Sequence, residues 1–318
     1  MLNNYLFTIS LVAQLTGVSL PQILIEDNFY FVPTIDKENE IVVEIEPTPK
    51  LPLKEPAPQR NGENLTPENV LAKAAIAVDR KSGEILWQKN QEEQMPIASI
   101  TKLMTALVFL DHNPGWEHLH KMTNEENWLI GANMPAGEGE EVSTFDLFRT
   151  ALVGSRNNAA LALSHSTGIS DENFKKLMNE KAKMLSMENT HFEEPTGLDE
   201  ADVSTAQDLA RLARAAFGHQ TILKPMTQET HELKRSGSED VYTVKNTNRL
   251  IKEPDTFVIA GKTGYTEEAG YCFLGLAENE TGDQIVIAVL GMDTDWGRFE
   301  EAEKIAEWTF NNYQWEKN

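Results

Sequence analysis

Three short runs carry side chains able to make and break an acyl bond: Ser99-Ile100-Thr101-Lys102, Ser155-Arg156-Asn157 and Lys262-Thr263-Gly264, each present once and in that order. Ser99 and Lys102 stand three apart, and residues three apart on a helix share a face. A serine hydroxyl is a weak nucleophile until a base takes its proton, and a desolvated lysine beside another cation can be neutral near physiological pH. Lys102 is the candidate base. Next to Leu103 and Met104 on an apolar helix, a lysine without such a use would be costly. Ser155 offers a second hydroxyl to relay a proton to a leaving amine, and Asn157 an amide to hold a substrate peptide bond. Lys262, Thr263 and Gly264 join a cation, a hydroxyl and an approachable backbone, a cradle for a carboxylate. Singly the first two runs are weak. Ser-x-x-Lys arises about once by chance in a chain of this length, and Ser155 and Asn157 are also ordinary cap residues.

The elements that must position these groups follow from apolar periodicity. Residues 75–78 and 84–87 flank the turn Asp79-Arg80-Lys81-Ser82-Gly83 and read as a β-hairpin. Residues 100–112 are apolar on most of their circumference and stop at Asn113-Pro114-Gly115, which predicts a buried helix. Helical patterns continue at 145–153, 158–164, 172–185 and 206–217, and three strand-like runs follow at 256–266, 271–277 and 284–292. An amphipathic helix at 299–310 closes the chain. Strands at both ends with helices between them predict an α+β domain: one mainly antiparallel five-stranded sheet, contributed by both chain ends and covered by helices.

The three runs together look like the active-site triplet of penicillin-binding proteins and serine β-lactamases. Within that superfamily the chain resembles the low-molecular-mass serine D-Ala-D-Ala carboxypeptidases. The matching stretches are Met95-Pro96-Ile97-Ala98-Ser99-Ile100-Thr101-Lys102-Leu103-Met104-Thr105, Pro195-Thr196-Gly197-Leu198, Ser204-Thr205-Ala206-Gln207-Asp208-Leu209-Ala210, Asn246-Thr247-Asn248 and Gly261-Lys262-Thr263-Gly264-Tyr265-Thr266. The resemblance covers about residues 70–312. It implies a β-lactamase/transpeptidase-like fold with an all-helical subdomain. It also implies a D,D-carboxypeptidase that forms an acyl-enzyme on Ser99 and removes the terminal D-Ala from peptidoglycan stem peptides. Lys102 would be the base, Ser155 and Lys262 would relay protons and tune it, Asn157 would orient the substrate, and Thr263 with Gly264 would receive its carboxylate. The backbone N–H groups of Ser99 and Tyr265 would form the oxyanion hole. No cofactor or metal is implied; the partners are stem peptides ending in D-Ala-D-Ala, with β-lactams as covalent inhibitors. Arg156 departs from the small residue usual at its position, and Thr247 stands where some relatives place an arginine, with Arg249 adjacent.

Neighbouring readings use the same residues. A D,D-endopeptidase acting on cross-links would share them all. A class A-like β-lactamase would draw on Glu193 or Glu194 for deacylation, although Pro195-Thr196-Gly197-Leu198 follows the peptidase pattern. An inactive penicillin-binding scaffold would keep two lysines at a site with no use for them.

Composition narrows the rest. With 50 acidic and 28 basic residues among 318, the formal charge of −22 repels nucleic-acid phosphates, so no nucleic-acid role is expected. The single cysteine, Cys272, excludes an intrachain disulfide and reads as a core thiol. His118 and His120 suggest a metal pair, but no third ligand is evident nearby and the run reads as an exposed loop. Residues 1–25 lack charged side chains and read as a signal peptide or an N-terminal membrane anchor, or else as a mis-assigned start. Residues 26–68 are acidic and then proline-rich, an extended linker whose alternative is a strand at 41–45, leaving 69–318 as the catalytic domain. An exported protein acts outside the cytoplasm, either free or held by its N-terminal segment.

Overall fold

Five strands alternate side chains between two buried faces. They are Ala74–Asp79 (β1), Ile85–Lys89 (β2), Val258–Thr266 (β3), Gly270–Glu278 (β4) and Gln284–Met292 (β5). In the sheet they run in the order β3-β4-β5-β1-β2, each neighbouring pair antiparallel, so that the last of these five strands, β5, pairs with the first of them, β1, through Ala288 opposite Ile76. This is the five-stranded sheet expected from the two chain ends.

The computed structural model describes residues 56–61, 66–67, 69–237 and 239–316, with the backbone of 29–35 and 41–47. The chain divides into two compact units, Met1–Glu55 and Pro56–Asn318. In the first, Phe29–Ile35 and Ile41–Pro47 form an antiparallel hairpin. The strand alternative at 41–45 therefore describes these residues better than a continuous linker does, because Ile41, Val42, Val43 and Ile45 are β-branched. The signal or anchor expected at 1–25 lies outside the described residues. Among those described, no helix is long and apolar enough to cross a membrane.

The second unit has three layers. One face of the sheet, with Ala75, Ala77, Phe273, Ile285, Ile287 and Val289, packs on Phe299, Ala302, Ile305 and Ala306 of the C-terminal helix. The other face, with Ala74, Ile76, Val286, Ala288 and Leu290, belongs to the larger core shared with the helices inserted between β2 and β3. The helices are Lys102–Asp111 (α1), Asn124–Asn127 (α2), Thr144–Val153 (α3), Asn157–Ser166 (α4), Asp171–Met184 (α5), Ala206–Gly218 (α6), Gln220–Met226 (α7) and Gly297–Asn312 (α8). Helix α1 buries every residue from Lys102 to Phe109, as its apolar circumference predicts. Cys272 is fully buried, and burial pushes its thiol up to about 11, which makes it an inert core residue.

Two features differ from the sequence reading. Residues 218–255 carry α7 and a hairpin of Thr230–Lys234 with Val241–Lys245, whose charged alternate positions hide the inward His231, Leu233 and Val244. The run from Trp116 to His120 is only partly a loop. Trp116 stacks edge-on against Phe148 at 5.3 Å, and His120 lies on the strand Leu119–Lys121, paired with Glu141–Ser143, while His118 is exposed.

Phe299 is fully buried, edge-on to Phe273 at 5.3 Å, and joins α8 to the sheet. Phe299→Ala should cost about 3–5 kcal/mol in urea unfolding of the Pro56–Asn318 unit, with an unchanged m value. A cost below about 1 kcal/mol would mean that α8 does not brace the sheet.

Candidate active site

Ser99 sits in a 3-10 turn, Ala98–Thr101, that leads into α1 at Lys102. Residues three apart eclipse in a 3-10 turn, so the two side chains superpose more closely than on an α-helix. Lys102 Nζ lies 2.7 Å from Ser99 Oγ, 2.8 Å from Asn157 Oδ1 and 2.5 Å from the carbonyl of Thr196. Asn157 Oδ1 and Thr196 O are pure acceptors and occupy two N–H groups. A neutral amine has one lone pair left, and Ser99 Oγ–H is the group facing it.

That neutrality has a physical cause. Lys102 is buried, and desolvation lowers its pKa to about 7 against the smaller opposing charges of Glu194 and Asp202. Lys262, also buried, is lowered well below its ordinary value by desolvation and then by the charges of Lys102 and Arg298. Its Nζ donates to Ser155 Oγ at 2.6 Å and to its own neighbour's carbonyl, Thr263 O, at 2.9 Å.

The second run is placed by a strained corner. Ser155 takes a left-handed backbone, φ 54°, between the end of α3 and the start of α4. For a residue with a Cβ this conformation costs about 1–3 kcal/mol and persists only where the surroundings enforce it. The corner turns Ser155 toward the sheet edge while Asn157 points at Lys102. Asn157 also donates from Nδ2 to Ile130 O at 2.8 Å, so its amide is fixed at both ends and orients the lysine.

The third run lies on β3, the edge strand next to the 3-10 turn. A Cβ at Gly264 would lie 2.7 Å from Ile97 O, so only glycine lets the strand pass this close to the segment before Ser99. Thr263 Oγ1 donates to Thr247 Oγ1 at 2.7 Å, and the following Tyr265 is exposed. Ser99, Lys102 and Asn157 thus meet in one hydrogen-bonded group and Ser155 and Lys262 in a second, where the sheet edge approaches the helical layer.

Several supports escaped the sequence reading. Asp202 accepts from Thr101 Oγ1 at 2.8 Å and from Glu193 N at 2.6 Å, tying the start of α1 to the turn that carries Thr196; burial raises its carboxyl to about 7. Gly197, at φ 78°, lets that turn press on Ala98, whose carbonyl a Cβ would meet at 2.1 Å. Arg298 Nη1 donates to Gly264 O at 3.0 Å from behind the strand. Backbone carbonyls have no sequence signature, and Asp202 lies 101 residues from Thr101.

With this geometry in view, the similarities are specific. The family model for D-alanyl-D-alanine carboxypeptidase matches residues 61–294. The chain belongs to that family. It is similar to a D-alanyl-D-alanine carboxypeptidase of Bacillus subtilis, 34% identical over 76% of this chain and 63% of the relative. It is equally similar, at 34%, to a D-alanyl-D-alanine endopeptidase of Pseudomonas aeruginosa, over 74% of this chain and 76% of the relative. The chain therefore spans less than two thirds of the first relative and about three quarters of the second. Among solved structures, penicillin-binding protein D2 of Listeria monocytogenes in its ampicillin-bound form superposes with a TM-score of 0.66 at 31% identity, covering 75% of this chain and 97% of that one. The D-alanyl-D-alanine carboxypeptidase of Mycobacterium tuberculosis superposes with a TM-score of 0.73 at 25% identity, covering 80% and 98%.

One departure from the family pattern and one rival reading now have positions. Arg249, two residues after Thr247, pairs with Asp295 at 2.5 Å, so its guanidinium is engaged outside the three runs. Glu194, the group a lactamase reading would enlist, folds its own loop by accepting from Thr196 N, Thr196 Oγ1 and Leu198 N, while Glu193 meets Lys175 and His191.

The neutral amine of Lys102 is the form able to accept the Ser99 proton, so acylation should strengthen as that amine deprotonates. The second-order rate of Ser99 labelling by a reporter β-lactam should rise with pH through about 7 and level off above it. Lys102→Arg, which stays charged, should lower the plateau by about 100-fold or more. A flat profile between pH 6 and 8, roughly one unit either side of that value, would remove Lys102 as the base.

Proposed function

We propose that the chain is a serine D,D-carboxypeptidase that removes the terminal D-Ala from peptidoglycan stem peptides. The reading rests above all on the contact of 2.7 Å between the Lys102 amine and Ser99 Oγ, at a lysine whose burial favours the neutral state. Ser99 Oγ attacks the carbonyl of the penultimate D-Ala and gives its proton to Lys102 Nζ. The tetrahedral oxyanion is held by the backbone N–H groups of Ser99 and Tyr265. As the C–N bond breaks, the leaving D-Ala amine takes a proton through Ser155 Oγ, which Lys262 Nζ holds at 2.6 Å. Water then attacks the ester by the reverse proton path, releasing the shortened stem and restoring Ser99.

The substrate's terminal carboxylate fits the hydroxyl pair Thr263 and Thr247 beside Gly264, with the cation of Lys262 or Lys102 supplying charge as protons move. β-Lactams would acylate the same serine. Stem peptides lie outside the cytoplasmic membrane, so the enzyme works there, exported through residues 1–25 and either released or held by that segment. Residues 69–318 form the catalytic domain.

Cross-link cleavage by the same acyl-enzyme is favoured by one observation. The endopeptidase of Pseudomonas aeruginosa is matched at the same 34% identity as the carboxypeptidase of Bacillus subtilis.

Purified protein given a pentapeptide stem should release free D-Ala, and Ser99→Ala should lose both this release and fluorescent penicillin labelling by about 10³-fold or more. Supplying a cross-linked dimer in parallel separates the two peptidase readings by which substrate gives the larger kcat/KM. Wild-type protein that neither labels nor releases D-Ala would remove the acyl-enzyme.

A further inference from the structure

Helix α4 carries Asn157 at its first residue and His165 near its last, and the far end holds a cluster with no part in the acyl-enzyme chemistry. Glu126, on the short helix α2, is fully buried and forms a capping box with Thr123: its Oε2 accepts from Thr123 N at 2.8 Å. Its Oε1 is left to face two imidazoles, His120 Nε2 at 2.8 Å and His165 Nδ1 at 2.6 Å. The three ligand atoms come from three separate elements, the strand Leu119–Lys121, α2 and α4, and lie within 4.8 Å of one another. Among the described residues this is the group of three in which histidine and carboxylate atoms so converge.

We propose that His120 Nε2, Glu126 Oε1 and His165 Nδ1 bind a divalent transition-metal cation, zinc by its ligand preference. Two imidazoles and one carboxylate are a ligand set suited to zinc, with bonds of about 2.0–2.2 Å. A tetrahedral ion would set the ligand atoms about 3.3 Å apart, reached from the present spacing by small rotations of two imidazoles whose side chains keep 12% and 18% of their exposure. The same openings admit the ion and a water as fourth ligand.

The outer nitrogen of His165 also has the partner that metal-ligating histidines have. His165 Nε2 faces Asp171 Oδ1 at 3.0 Å. A carboxylate holding the outer N–H of a histidine fixes the tautomer that turns the inner nitrogen's lone pair toward a metal. The charges agree: Glu126 and Asp171 supply two negative charges, two neutral imidazoles supply none, and a dication balances them. Any proton displaced from Nδ1 of His165 or Nε2 of His120 leaves to solvent as the metal–nitrogen bond forms.

The ion would brace the active site from behind. The residues after α2 supply Ile130 O, which accepts from Asn157 Nδ2, and Ala132 O, which accepts from Asn157 N at 2.8 Å. Joining α2 to His165 would tie that loop to α4 at the end remote from Asn157.

The test uses the full chain stripped with a chelator, titrated with zinc by calorimetry and counted by elemental analysis after dialysis. One zinc per chain is expected, with a raised melting temperature. His120→Ala and His165→Ala should each weaken binding by about 100-fold or more, Asp171→Asn by about 10-fold, and the neighbouring exposed His118→Ala should leave it unchanged. Far-UV circular dichroism of each metal-free variant identifies any that fail to fold, and Asp171→Asn, which leaves all three ligands in place, serves if the ligand variants do. Absence of stoichiometric zinc in the wild type, or equal affinity in wild type, His165→Ala and Asp171→Asn, would overturn the proposal.

Discussion

Two buried lysine amines each lie within 3 Å of a serine hydroxyl, and among the described residues neither meets a carboxylate. Their partners are hydroxyl and carbonyl oxygens: Ser99, Asn157 and Thr196 for Lys102, Ser155 and Thr263 for Lys262. Burying an unpaired ammonium is strongly unfavourable, and the cost is relieved by losing the proton. The charge of Lys102 also raises the cost of charge on Lys262. Keeping carboxylates out of contact therefore favours the neutral amine, the form that the proposed base requires. A salt bridge at either lysine would improve the local electrostatics and abolish the base.

The surrounding fold follows from keeping carboxylates close but out of contact. Glu194 and Asp202 both influence Lys102, and both are occupied with loop backbone and Thr101. Because Asp202 binds Glu193 N and Glu194 N, the turn after it presents a carbonyl, Thr196 O, to the lysine in place of a charge. Gly197 permits the turn to press on Ala98, and Gly264 permits the sheet edge to do so from the other side. The nucleophile's turn is thus clamped between two backbones, and larger side chains at either glycine would force it open.

Legibility in the sequence divides along the same line. Ser99, Lys102, Ser155, Asn157, Lys262 and Thr263 could be read because each supplies a functional group at a fixed spacing. The central strands at 74–79 and 284–292 could be read because apolar residues occupy nearly every position, as burial on both faces requires. The hairpin at 230–245 could not, since its exposed positions mix charged Glu232, Lys234 and Lys245 with Thr230, Val241, Tyr242 and Thr243, and only one face is covered. Gly197 and Arg298 act on backbone atoms far away in sequence, and Asp202 on the distant hydroxyl of Thr101, where no spacing rule applies. Asn157 was legible as a site residue, but its direct engagement is with Lys102 and Ile130, which only the folded loop reveals. His120, Glu126 and His165 were hidden for a related reason: the pair nearest in sequence, His118 and His120, is not the pair that meets in space.

The two halves of the site come from different layers. Lys262 and Thr263 ride on the edge of the sheet, whereas Lys102, Ser155 and Asn157 belong to the helices inserted between β2 and β3. The contact between Lys262 and Ser155 joins them, and it is made at a residue whose backbone is itself strained. Strain of that kind persists only while packing on both sides enforces it. The helical layer is held to the sheet through the apolar core beneath the cleft, where Ile76, Ile100 and Leu274 are fully buried. Stability of that core and geometry of the site are consequently one property: loosening the layers would release the Ser155 corner, hydrate Lys262 and return its charge. The resulting ammonium would no longer sit beside Lys102 as a buried neighbour, and the influence of one lysine on the other, which depends on exclusion of water, would fade with it.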